Sequence, residues 1–83
     1  MVEVLFFASL REEVGRATLS LPLDQPVALP QLLARLQDCL SATACAALTA
    51  GSVRVAINQE LVSGAVVVRP GDEVAFLPPV TGG

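Results

Sequence analysis

Glu73-Val74-Ala75-Phe76-Leu77-Pro78-Pro79-Val80-Thr81-Gly82-Gly83 closes the chain, and the rest of the sequence is best read outward from it. Glu73 to Leu77 alternates as a strand, with Val74 and Phe76 inward and Ala75 and Leu77 outward. Pro78-Pro79 fixes φ and carries the backbone away in extended form. Gly82 and Gly83 have no Cβ, so backbone and carboxylate fit a slot too narrow for any side chain. The pattern is that of an arm offering its terminal carboxylate to another protein. Fully extended, Pro78 to Gly83 spans about 20 Å at roughly 3.3 Å per residue. The expected division is a domain over 1–77 and a tail over 78–83.

Composition narrows what the domain does. A chain of 83 residues holds one small core. Hydrophobic residues make up 53% and charged residues 16%, which favours folding and leaves apolar surface for a partner. A net charge of −3 argues against a nucleic-acid partner. No apolar run reaches membrane-spanning length, and Met1-Val2-Glu3 lacks the basic start of a signal peptide, so a cytoplasmic protein is expected. The chain has no His and no Lys. Ser-His and Cys-His catalysis, His-ligated metal and Schiff-base chemistry are thereby excluded, and an enzyme acting on its own is not expected. Cys39 and Cys45 do not form a CxxC pair. Cys39 reads as lying on or beside a helix stripe, and both read as reduced structural thiols.

Upstream, Val2 to Ala8 reads as a strand with Val2, Val4 and Phe6 on one face and Glu3, Leu5 and Phe7 on the other. Ser9 to Val14 forms a short helical turn ended by Gly15, and Ala17 to Leu21 returns as a hairpin strand. Leu29, Leu32, Leu33, Leu36 and Leu40 form one helical stripe, with Pro30 in the first turn and no capping side chain at Val27 or Ala28. Ser41 to Ala50 suits a second, looser helix ended by Gly51. Val53 to Asn58 is a strand with Val53, Val55 and Ile57 inward and Arg54, Ala56 and Asn58 outward. A turn at Asn58-Gln59-Glu60 precedes a short strand at Leu61 to Ser63. Gly64 to Arg69 fits no single pattern, and Pro70-Gly71-Asp72 is a turn. The order ββαβββ predicts an α+β mixed sheet over one main helix, with Val4, Phe6, Val55, Ile57, Val74 and Phe76 facing the leucine stripe. On the opposite sheet face, Leu5, Phe7, Ala56, Ala75 and Leu77 stand where polar residues are usual. If first and last strands are neighbours, Leu5, Phe7, Ala75 and Leu77 merge into a partner patch beside the tail. The alternative is a second small core beneath the 41–50 segment.

Val4-Leu5-Phe6-Phe7-Ala8 with Arg11-Glu12, Val55-Ala56-Ile57-Asn58-Gln59-Glu60-Leu61-Val62 and the ending from Gly71 to Gly83 resemble the small subunit of molybdopterin synthase. The likeness runs the length of the chain and is weakest between Leu23 and Gly51, where only the helix pattern carries over. Ile57 stands where that family often has Val, and the helix entry lacks the family's Thr or Ser cap.

The resemblance implies a ubiquitin-like β-grasp fold and a sulfur-carrier role in molybdenum cofactor biosynthesis. By that carry-over, the Gly83 carboxylate is adenylated by a ubiquitin-activating-like adenylyltransferase using ATP, then converted to a thiocarboxylate with a sulfurtransferase as sulfur source. It gives sulfur to cyclic pyranopterin monophosphate in the large synthase subunit, building the dithiolene, and Gly82 lets the tail pass. The chain itself binds no cofactor or metal. Acid–base groups come from the large subunit, in a heterotetramer with two large subunits. Phe7, Leu61 and Leu77 are expected as interface anchors, with Leu5, Pro78, Pro79, Val80 and Thr81 also in contact. Arg11 is either a contact or a solvated helix-end charge. The rival readings are a sulfur carrier of the thiamine or tRNA-thiolation pathways, a ubiquitin-like modifier of lysines, or a binding module anchored by its tail.

Overall fold

The computed structural model describes residues 1–79. Five strands form a mixed sheet. Strand β1 (Val2–Phe6) pairs antiparallel with β2 (Thr18–Leu21) and parallel with β7 (Glu73–Leu77), which pairs antiparallel with β4 (Arg54–Ile57), itself antiparallel to β5 (Glu60–Val62). The order across the sheet is β2-β1-β7-β4-β5, so the closing strand of the chain is its central strand. The first and last strands are neighbours, as the patch required.

Helix α1 (Ser9–Val14) lies in the β1–β2 connection and ends at Gly15 with φ 88°, a left-handed stop that glycine adopts without steric cost. Helix α2 (Leu29–Leu36) is the main helix. Its Leu32 and Leu36 join Val2, Val4, Phe6, Val74 and Phe76 in one core, where the Phe6 and Phe76 rings stack with centroids 6.0 Å apart. Val55 and Ile57 are partly buried against this core. The β-grasp expectation is met: one sheet face closes on one helix.

Two features differ from the sequence reading. A second, two-stranded sheet pairs β3 (Val27–Ala28) with β6 (Val67–Val68), ordering the segment that fitted no pattern. This pairing also explains how α2 begins without a capping side chain. Leu29 N–H donates to Val66 C=O at 3.0 Å, and Ala28 N–H donates to Gln31 Oε1 at 2.9 Å. Ala28 has no oxygen to return the favour, so half a capping box suffices. The helix also stops four residues before Leu40, at Leu36. Beyond it, Asp38 and Cys39 N–H groups bond to the carbonyls of Arg35 and Leu36, tight turns that leave Cys39 exposed rather than on the stripe. Helix α3 (Ala42–Leu48) is capped by Ser41, whose Oγ accepts from Ala44 N–H at 3.1 Å.

A polar clasp holds β7 in place. The Asp72 carboxylate accepts from Arg69 N–H at 2.9 Å and from Asn58 Nδ2 at 3.0 Å, while Asn58 Oδ1 accepts from Glu73 N–H at 2.9 Å. Asn58 and Gln59 both take positive φ, 51° and 70°, in the two-residue β4–β5 turn. The Arg69 backbone bond first, then the Asn58 side chain, holds the Asp72 carboxyl below its usual 3.8. A carboxyl with a depressed folded-state pKa stabilises fully above the unfolded value and loses that contribution as pH falls through the folded one. Urea midpoints of the native chain and Asp72→Ala should therefore differ at pH 6. The gap should narrow steadily as pH drops below about 3.8; a constant gap would show that the clasp does not act through charge.

No described helix is long and apolar enough to cross a membrane.

Candidate functional site

The sheet face turned away from α2 leads into the tail. Its geometry follows from the strand register. Leu5 pairs with Ala75, Ala75 with Ala56, and Ala56 with Leu61, so one row of outward side chains crosses β1, β7, β4 and β5. In the next row toward the tail, Leu77 stands opposite Arg54, and Phe7 N–H donates to Phe76 C=O at 3.2 Å. Leu61 is 58% exposed and Phe7 44%, while Leu5, Leu77 and Pro78 are partly exposed and Pro79 is exposed.

The patch is therefore real but not flat. Ala75 and Ala56, expected to contribute exposed surface, are only 5% and 7% accessible. A methyl group on a central strand is shadowed by the larger side chains around it, so these two alanines floor a shallow valley rimmed by Leu5, Phe7, Leu61 and Leu77. The alternative cover for this face does not operate. Helix α3 turns Ala44 and Leu48 inward, Leu48 into the main core, and packs beside α1.

Phe7 owes its presentation to a feature the sequence reading missed. Leu10 N–H donates to Phe7 C=O at 3.0 Å, and between them Ala8 has φ 51° and ψ −126°. This is a type II′ turn with alanine where glycine is usual, at a conformational cost of roughly 1–3 kcal/mol. The turn ends β1 abruptly and leaves Phe7 at the rim. Arg11 follows on α1, exposed, with its carbonyl accepting the Gly15 cap.

Val80, Thr81, Gly82 and Gly83 lie outside the described residues. The face leading to them holds neither His nor Lys. Among the described residues no group of His, Cys, Asp and Glu could hold a metal ion. The arrangement is an exposed apolar surface beside the base of the tail, with no described acid–base pair.

The ThiS family model matches residues 4–83. The molybdopterin synthase sulfur carrier subunit of Escherichia coli is 45% identical, with all of both chains covered. Among solved structures, small archaeal modifier protein 1 of Haloferax volcanii superposes with a TM-score of 0.75 at 26% identity, covering 99% of this chain and 98% of that one. A subunit of molybdopterin-converting factor from Helicobacter pylori, solved as a complex of subunits 1 and 2, is 26% identical with a TM-score of 0.66, covering 99% and 97%. The β-grasp sheet, the tail sequence and the end-to-end match thus agree: this chain belongs to the ThiS family and, within it, to the molybdopterin synthase sulfur carrier subunits.

Proposed function

We propose that this chain carries sulfur as a thiocarboxylate on Gly83 and delivers it within a two-subunit molybdopterin synthase. The observation that carries the reading is the end-to-end match, tail included, to the sulfur carrier subunit of Escherichia coli. A free carboxylate is a poor electrophile. Attack of a Gly83 oxygen on the α-phosphate of ATP, in an adenylyltransferase of the ubiquitin-activating kind, expels pyrophosphate and leaves an acyl-adenylate. Sulfur at the sulfide level, supplied by a sulfurtransferase, then displaces AMP.

The thiocarboxylate sulfur attacks a side-chain carbon of cyclic pyranopterin monophosphate, and the new C–S bond replaces a C–O bond whose oxygen leaves as water or stays with the phosphate. Hydrolysis of the resulting thioester leaves sulfur on the pterin and restores the carboxylate, and two such rounds give the dithiolene. None of these steps needs a His or Lys from this chain, which has neither. The large subunit supplies the acid–base groups, and two large subunits with two carriers form the assembly, in the cytoplasm. Residues 78–83 are the arm, Gly82 gives it passage, and the valley rimmed by Leu5, Phe7, Leu61 and Leu77 is where the partner seats. Pro78, Pro79, Val80 and Thr81 line the path, with Arg11 at the margin.

The test is the intact mass of the chain after incubation with ATP, its activating enzyme and a sulfur donor. A gain equal to exchanging one oxygen for sulfur is expected; an unchanged mass with active partners refutes the reading. A second use as a protein modifier draws support from the likeness to small archaeal modifier protein 1. Gly-Gly remnants on lysines of other proteins, dependent on this chain, would establish it.

A further inference from the structure

The docking face is electrically polar along its strands. At the tail end, Arg54 projects from β4 opposite Leu77, exposed, in a groove shared with Gly51, Ser52, Leu61 and Pro79. None of the side-chain hydrogen bonds among the described residues uses Arg54. At the far end, Glu3 and Glu73 stand in register on adjacent parallel strands, with Ser20 Oγ donating to Glu3. Like charges side by side weaken a sheet, and nothing described on this face neutralises them. From Glu73 to Leu77 the strand runs about 13 Å at roughly 3.3 Å per residue, longer than a Debye length of about 8 Å at physiological salt. The two ends therefore act as separate charges with an apolar valley between.

Resting on the sulfur-carrier reading, we infer that Arg54, with Glu3 and Glu73 at the opposite end, sets the orientation in which the large subunit docks: its face presents a carboxylate to Arg54 and a cationic side chain to the two glutamates. An apolar valley alone admits a partner in either direction along the strands. Charge of opposite sign at its two ends admits one, because the reversed pose sets like charges together. That single pose matters because the arm leaves from the Arg54 end, past Pro79, so a reversed partner would receive the tail at the wrong side of its surface. A second copy of this chain, packed antiparallel, would also match the charges, but it would offer the two tails no acceptor.

The experiment is calorimetric titration of the purified large subunit from the same organism with the native chain, Arg54→Glu and Arg54→Leu, at low and high salt. Arg54→Glu should weaken binding roughly 100-fold at low salt, with a smaller penalty at high salt. Arg54→Leu keeps apolar area and should weaken binding less while flattening the salt dependence. Arg54→Glu within twofold of native, or Arg54→Leu with an unchanged salt dependence, overturns the inference and leaves the carrier reading standing. A native chain that instead dimerises through this face, with the dimer lost in Arg54→Glu, overturns it in favour of self-association. Failure of the native chain to bind the large subunit at all overturns both.

Discussion

Deleting Gly83 should abolish sulfur loading while leaving the domain as stable as before. The shortened chain still ends in glycine and a carboxylate, so composition at the terminus is preserved and only position changes. One residue withdraws the carboxylate by about 3.3 Å. Misplacing a reacting group by about 1 Å can already cost on the order of 100-fold in rate. On the proposed mechanism, a displacement three times larger should take the oxygen out of line with the α-phosphate of ATP. The core residues among those described lie between Val2 and Phe76, so the thermal midpoint should match the native chain. The mass of the truncated chain should stay unchanged after treatment with ATP, activating enzyme and sulfur donor, and cells carrying it should accumulate the pyranopterin precursor. Gly82→Val keeps the length and adds a branched side chain at the position proposed to let the arm pass. It too should fail to load, which separates steric passage from reach. A thiocarboxylate mass on the truncated chain would remove Gly83 from the mechanism.

The strands and the apolar outer face were legible because their signals are periodic and strong. Alternation in Val2-Glu3-Val4-Leu5-Phe6 and Glu73-Val74-Ala75-Phe76-Leu77 assigns faces directly, and adjacency of β1 and β7 then places Leu5 beside Ala75. What stayed hidden was short, non-local or governed by size. A two-residue ladder such as Val27–Ala28 against Val67–Val68 has no period to detect and forms only after the ends meet in space. Leu40 keeps the helical spacing past Leu36 because the following turns nearly continue the helix and no glycine marks its end. The burial of Ala56 and Ala75 reflects the bulk of their neighbours, which alternation does not encode. The positive φ of Ala8 defies residue preference, and it lies beside an anchor of the proposed interface, where strained backbone tends to collect. The opposition of Arg54 and Leu77 is a matter of register, invisible until β4 and β7 are paired.

Phe76 and Leu77 are consecutive residues of the same strand, and truncating or charging them should break different things. Phe76 is 1% exposed and stacks on Phe6 at the centre of the core. Phe76→Ala should cost about 3–5 kcal/mol of stability, the range for emptying a packed aromatic site. At roughly 0.05–0.15 kcal/mol per residue a domain of this size is worth about 4–12 kcal/mol, so the variant should lose from about a quarter to all of its stability. Leu77 points the other way, partly exposed and opposite Arg54. Leu77→Glu should therefore move the urea midpoint by less than about 1 kcal/mol, since surface substitutions away from special features rarely do more. Its effect belongs to the complex: a carboxylate in the apolar valley must be stripped of water when the large subunit seats, a loss on the scale of an interface hot spot, about 2 kcal/mol or more and so at least roughly 30-fold in Kd. Urea unfolding and calorimetric binding on both variants give four numbers, and the assignment of faces stands or falls on their crossing. Leu77→Glu binding as tightly as native would move the interface elsewhere, and Phe76→Ala retaining native stability would mean the core is not where the sheet and α2 meet.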